Sequence, residues 1–258
     1  MTKRLGQHFL VDGNVLEKEL TAAALTKKDN VVEIGPGIGT LTQALAAQAG
    51  QVIAVEFDSR FPLILRETLA PAENVKIIEA DAMSVDYGDL DVNCLVANLP
   101  YNIGTALIVK VLTDAPNIKR MTVMIQKEVA ARLVAVPGTK DYGVLAVTIA
   151  CYAIAATAGQ VKRTSFLPPP DVDSAFVVLE RLPVPAFGPE TPAFLEFVKT
   201  VFSLRRKTLA SALAHAGYEP ARIRGALAAA GTEERARAET LSPAEIYLVY
   251  AGLLSLES

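Results

Sequence analysis

The chain has 258 residues, of which 51% are hydrophobic and 21% charged, a composition that supports a large buried core and excludes wholesale disorder. A formal net charge of −3 with a pI near 5.6 excludes binding to nucleic acid through overall basicity, so any phosphate contact must come from local patches. The only histidines are His8 and His215 and the only cysteines Cys94 and Cys151, which excludes a multi-histidine metal site, a structural zinc site and a disulfide framework. No metal is expected, and the two cysteines read as buried free thiols of a reducing compartment.

In chain order, the basic start Met1-Thr2-Lys3-Arg4 runs into LGQHFL (5–10), too interrupted by polar residues to be a signal-peptide core. From residue 30 onward short β-branched runs alternate with helical patterns. Val31-Val32-Glu33-Ile34 predicts a strand, and a helix over 40–49 is entered through a glycine-rich turn. A strand over 52–55, a helix over 59–69 and strands over 75–78, 94–97 and 121–125 follow, with a helix over 106–112 between the last two. Such alternation predicts a parallel, doubly wound α/β sheet with ligands at the carboxyl ends of its strands. The stretch 142–159 carries no charged residue, but its Ala- and Thr-rich composition reads as a buried helix running into a central strand rather than a membrane span. A cytoplasmic protein is expected. A strand over 176–182 completes the sheet.

After Leu182 the texture changes. PVPAFGPETP (183–192) is a connector that neither helix nor strand should traverse. Amphipathic helices are predicted over 194–204, 208–216, 221–230 and 243–254, punctuated by Gly217, Gly231 and Ser242-Pro243. The expected division is an α/β catalytic domain over 1–182 and a small all-helical domain over 183–258.

The turn after the first parallel strand reads Glu33-Ile34-Gly35-Pro36-Gly37-Ile38-Gly39. Gly35, Gly37 and Gly39 let the backbone pass close beneath a ligand, and the following helix aims unpaired N–H groups at an anionic group. The spacing is G-x-G-x-G rather than the G-x-G-x-x-G of nicotinamide enzymes, and Glu33 suits a cationic amino group such as that of S-adenosylmethionine. Glu56 closes the second strand, where a carboxylate accepts from both ribose hydroxyls. Asp81, followed by Ala82, is placed to accept from the cofactor adenine, although an Asp there also serves as a turn residue.

Asn98-Leu99-Pro100-Tyr101 ends the fourth strand. The exocyclic N6 of adenine is a poor nucleophile, because its lone pair is delocalised into the ring. Acceptors that hold both N6 hydrogens and favour a pyramidal nitrogen supply what the chemistry lacks. The Asn98 side-chain carbonyl and the Leu99 main-chain carbonyl fit that part, with Pro100 stiffening the loop and Tyr101 stacking on the base.

At these residues the chain resembles the ribosomal RNA adenine dimethyltransferase family, in its small-subunit (KsgA) branch. The matching segments are LGQHFL, EIGPGIGTLT, NLPYNI, QKEVAARL, FLPPPDVDSA, FSLRRKTLASAL and RAETLSPAEI, spread nearly end to end. The resemblance implies a Rossmann-like class I S-adenosylmethionine-dependent methyltransferase domain with a small helical C-terminal domain. It further implies that His8 and Leu10 join Gly35, Glu56, Asp81 and Asn98 at the cofactor, and that Phe166 stands opposite Tyr101 across the target base. The implied reaction is transfer of two methyls to each of two adjacent adenosines in the 3′-terminal hairpin of small-subunit (16S) ribosomal RNA. The implied partner is that RNA in a pre-assembled small subunit, met by a monomer. His8, Gly104 and Ala150 depart from residues usual in the family.

Basic clusters at Lys119, Arg120, Lys127, Arg132 and Lys140, at Lys162-Arg163, and at Arg205-Arg206-Lys207 are expected to contact phosphate near the site. Three alternatives remain at this point. They are the large-subunit branch of the same family, a non-enzymatic descendant that only binds nucleic acid, and a nicotinamide-dependent dehydrogenase.

Overall fold

Runs of Val, Ile and Ala buried on both faces make the strands of a central sheet in the computed structural model, which describes residues 8–204 and 207–255. In chain order the elements are β1 (Phe9–Leu10), α1 (Gly13–Ala23), β2 (Asn30–Ile34), α2 (Thr40–Gln48), β3 (Gln51–Glu56), α3 (Phe61–Thr68) and β4 (Val75–Glu79). They continue with β5 (Cys94–Asn98), α4 (Gly104–Asp114), β6 (Arg120–Gln126), α5 (Lys127–Leu133), α6 (Val144–Tyr152), β7 (Ala153–Val161), β8 (Phe166–Leu167) and β9 (Ser174–Arg181). The sheet order is β4-β3-β2-β5-β6-β9-β7. The strands from β2 to β6 pair in parallel, and β9 inserts antiparallel to β6. The chain runs outward from β2 through β3 to β4, then returns to β5 on the other side of β2. That reversal opens a crevice at the carboxyl ends of β2 and β5, where doubly wound sheets hold ligands.

One face of the sheet closes on Leu41, Leu45 and Ala46 of α2 and Ala23 of α1, packed against Val31, Val52, Cys94 and Val96. A second cluster joins Leu10, Val15, Met124, Phe166 and Phe176. Each fully buried aliphatic side chain in such a core contributes about 1.5–3 kcal/mol. Both cysteines are free and buried.

The chain forms two compact units, one made of residues up to Ala130 with Ile154–Arg181, the other of Ala131–Ala153 with the chain from Leu182 onward. The expected division placed 131–153 in the first domain. Instead α6 packs with the later helices α7 (Thr191–Phe202) and α10 (Pro243–Ser255), and the Tyr142 hydroxyl donates to the Leu241 carbonyl at 2.9 Å. The second unit also contains α8 (Leu209–His215) and α9 (Pro220–Ala229).

The uncharged stretch 142–159 splits into two elements. Its first part is the largely buried α6, but β7 lies at the sheet edge rather than its centre, with Ile154 67% exposed. Ala and Thr tolerate an edge position, so absence of charge there did not mean burial. The Pro-rich connector is shorter than expected, because Pro192 sits in the first turn of α7, where a missing N–H costs nothing. Among the described residues no helix is long and apolar enough to cross a membrane.

Candidate active site

After β2 the chain turns through Gly35, Gly37 and Gly39, whose φ values of 72°, 56° and 89° lie in the left-handed region that side chains disfavour. The Gly35 N–H donates to the Val55 carbonyl at 3.0 Å, tying the turn to β3. A Cβ on Gly37 would stand 2.9 Å from Cε1 of Phe9, so the turn fits only without a side chain. Gly39 plays a different part from the one expected. It caps α2 and packs towards Leu65 of α3, outside the cavity that Gly35 and Gly37 line.

Two carboxylates sit beneath this turn. Glu33 is buried, its Oε2 has no hydrogen-bond partner, and the nearby Thr42 hydroxyl is likewise unpaired. Burial pushes the Glu33 carboxyl up to about 8, and the charge of Glu56 pushes in the same direction. Glu56, at the end of β3, accepts from the N–H groups of Gly37 at 3.1 Å and Asp58 at 2.7 Å. Burial raises its carboxyl above the ordinary value, and those N–H groups work against the rise. Asp81 is exposed at the rim, where its Oδ1 accepts from Met83 N–H at 2.8 Å. It therefore makes the turn that its residue type allows and lines the cavity beside buried Ala82 as well.

β5 delivers Asn98 to the opposite wall. Leu99 N–H donates to the Met124 carbonyl at 3.1 Å, and the Pro100 carbonyl accepts from Ile103 and Gly104 at 3.2 and 2.9 Å, opening α4. The half-buried Tyr101 shares a hydrogen bond of 2.8 Å between its hydroxyl and the buried Ser174. Behind Asn98 stands Glu19 of α1, 0% exposed. With its amide oriented to satisfy its surroundings, Asn98 directs its nitrogen at Glu19, 2.8 Å from Oε1 and 3.2 Å from Oε2. Burial, then the charge of Glu33, raise the Glu19 carboxyl to about 8, against the pull of the Asn98 hydrogen bond.

The cover over the site comes from two short segments, with β1 pairing antiparallel to β8 through Phe9↔Leu167 and Leu10↔Phe166. His8 Nδ1 donates to the Pro168 carbonyl at 2.8 Å, and its ring lies 5.7 Å from that of Tyr101 at an interplanar angle of 31°. Phe166 lines the same cavity, but most of its surface is buried against Leu10, Met124 and Phe176. The ring set beside Tyr101 is thus His8. A single cavity of about 290 Å³ is lined by His8, Leu10, Glu33, Gly35, Gly37, Glu56, Asp81, Ala82, Asn98, Leu99, Pro100, Tyr101 and Phe166.

The basic residues separate. Lys127 follows β6 at its carboxyl end and is exposed, and exposed Lys162 and Arg163 precede Phe166. Lys119 and Arg120 lie at the amino end of β6, about 13–16 Å along the strand from the level of Asn98 at 3.3 Å per residue. There Lys119 donates to the Pro116 carbonyl, and Arg120 bonds the Ala24 carbonyl at 3.3 Å and faces Asp29 at 3.8 Å. Nearness in sequence had suggested nearness to the site, but a strand carries its two ends apart. Arg132, Lys140 and Lys207 are exposed in the second unit, while Arg205 and Arg206 lie outside the described residues.

Glu19 and Ser174 were not singled out from the sequence. A signal for Glu19 does exist, since it continues the i, i+4 spacing of Val15 and Ala23 and so puts an acid on the buried stripe of α1.

S-adenosylmethionine fits these residues. The orphaned Glu33 carboxylate suits a cationic amine, Glu56 suits paired hydroxyls, and the Gly37 backbone has no room for a side chain. Fold and site together define a class I S-adenosylmethionine-dependent methyltransferase. A solved dimethyladenosine transferase from Plasmodium falciparum shares the fold, with a TM-score of 0.81 at 24% identity over 96% of this chain and 98% of that one. The 23S rRNA methyltransferase ErmE aligns at a TM-score of 0.75 and 29% identity, over 95% and 99% of the two chains. The chain belongs to the ribosomal RNA adenine dimethylase family, whose model matches residues 1–253. It is 43% identical to ribosomal RNA small subunit methyltransferase A of Anoxybacillus flavithermus (strain DSM 21510 / WK1), covering 94% of this chain and 87% of that protein. The protein of that name from Moorella thermoacetica (strain ATCC 39073 / JCM 9320) is 42% identical over 94% and 89%.

Proposed function

We propose that this enzyme dimethylates N6 of two adjacent adenosines in the 3′-terminal hairpin of small-subunit ribosomal RNA. It acts in the cytoplasm as a monomer on a pre-assembled small subunit during ribosome biogenesis. The observation that carries the reading is the meeting of the Gly35–Gly37 turn and the Asn98-Leu99-Pro100-Tyr101 turn on one cavity. The similarity to proteins named for the small subunit supports the choice of RNA.

S-adenosylmethionine, when bound, supplies an electrophilic methyl group on a sulfonium. Glu33 attracts the cofactor's ammonium, Glu56 accepts from its ribose hydroxyls, and Asp81 with Ala82 meets its adenine. His8 and Leu10 close the site over it. On the substrate side, the Asn98 Oδ1 and the Leu99 carbonyl accept the two N6 hydrogens, which draws the nitrogen towards a pyramidal geometry with its lone pair free. Tyr101 stacks on the flipped base, a contact worth about 1–3 kcal/mol per base, with Phe166 in the cavity wall. The N6 proton, made acidic by alkylation, leaves to water, so no side-chain base is needed. Lys127, Lys162, Arg163, Arg132 and Lys207 offer phosphate contacts, with Arg205 and Arg206 beside Lys207 in sequence.

The test is mass spectrometry of small-subunit ribosomal RNA after incubation of unmethylated subunits with the protein and labelled cofactor. Dimethyladenosine at two neighbouring positions is the expected product. Label confined to a large-subunit adenine, or no label with intact cofactor binding, overturns the reading.

A further inference from the structure

Glu19 occupies the polar position in the buried stripe Val15-Glu19-Ala23, and among the described residues no cation pairs with it. A buried acid without a counter-charge costs stability, so packing of α1 gives no reason for it. Both its oxygens converge instead on one end of the Asn98 side-chain amide, at 2.8 and 3.2 Å. The two ends of a side-chain amide are nearly equal in size and opposite in hydrogen-bonding sense. Sterics alone therefore leave Asn98 free to present either its oxygen or its NH2 to the cavity. Once ionised, which its burial delays to about pH 8, the carboxylate offers only acceptors and selects one orientation.

We propose that Glu19 is a positioning residue for methyl transfer, which holds the Asn98 nitrogen so that Oδ1 is the end presented to the target amine. The inference rests on the reading that Asn98 accepts from that amine. In the opposite orientation the Asn98 NH2 would meet the substrate NH2, donor against donor, and the amine could not be held for attack. Glu19 itself lies out of the cavity and touches neither substrate nor cofactor.

A double-mutant cycle tests this, using single-turnover transfer on unmethylated small subunits at saturating S-adenosylmethionine and at a pH above about 8, where Glu19 is ionised, with cofactor Kd and Tm measured on each protein. Glu19→Gln keeps the shape but adds a donor, so it tolerates both amide orientations. It should slow transfer by about 10-fold, the scale of one charge-assisted hydrogen bond, with cofactor Kd unchanged. Its Tm should stay level or rise, because a buried acid is gone, whereas a residue that merely supported the fold would lower it. Glu19→Met should behave alike if Gln proves unstable. In an Asn98→Ala background, Glu19→Gln should cost nothing further. A wild-type rate in both Glu19 variants beside a slow Asn98→Ala overturns the inference while leaving the proposed function standing. So does a rate loss accompanied by a matching loss of Tm, or one that adds fully to that of Asn98→Ala. A wild-type rate in Asn98→Ala itself removes the reading of the loop and this inference with it.

Discussion

At the amino ends of the parallel strands, Arg181 donates to the carbonyls of Val111, Leu112, Ala115 and Ile118 and so closes the C-terminus of α4. Asn117 donates to three further carbonyls at 2.9–3.1 Å, and Asn93 links Asn30 N–H to the Asp29 carboxylate. At the carboxyl ends, the polar side chains include three buried acids, Glu19, Glu33 and Glu56, each pushed upward in pKa by burial. The same sheet thus directs polar groups at one end to helix and strand termini, and at the other leaves one oxygen of buried Glu33, which lines the cavity, without a hydrogen-bond partner. Substitutions at the two ends should therefore separate cleanly into losses of folding and losses of function.

The largest effect is expected at the amino end. Arg181→Met leaves several α4 carbonyls without their charged donor and should lower unfolding free energy by about 3 kcal/mol. Cofactor affinity of the folded fraction should not change. Urea denaturation paired with calorimetry checks this, and a weakened Kd with intact stability would erase the contrast. Next comes Glu56→Ala, expected to weaken S-adenosylmethionine binding by about 2 kcal/mol while leaving the fold in place. An unchanged Kd would remove Glu56 from the cofactor site.

A third effect concerns pH. Between the ordinary carboxyl value of 4.5 and about 8, folded Glu19 and Glu33 keep protons that the unfolded chain has lost. Stability without cofactor is therefore full below about 4.5 and falls as pH rises through that window. Glu33→Gln should flatten the slope, read as Tm from pH 5 to 8. Parallel curves for wild type and variant would mean that Glu33 does not titrate in this range.

Much of the carboxyl-end site is legible in the sequence because its chemistry is local. Glu33, Gly35 and Gly37 follow one strand, and Asn98 to Tyr101 follow another, so strand ends alone bring them to one crevice. Glu19 was hidden for the opposite reason. Its meaning lies in a contact with Asn98 that α1 creates only by packing against β6 and β9, and α1 precedes the alternating pattern that begins at residue 30. The affiliation of 131–153 with the later helices also depends on long-range packing, as with Tyr142 and Leu241. Lys119 and Arg120 show the converse, since they are near Lys127 in sequence but lie at the other end of β6.

The pairing of β1 with β8 has a consequence for biosynthesis. His8 and Pro168 are 160 positions apart, yet their hydrogen bond helps build the cover over the cavity. As the chain leaves the ribosome, the glycine turn and both acids beneath it emerge long before Phe166, Pro168 and Ser174. A nascent protein therefore carries half a binding site through most of its synthesis, and affinity arises only when the late segment arrives and closes on the early one. Ligand binding should therefore stabilise chains that extend past Ser174 and not shorter ones.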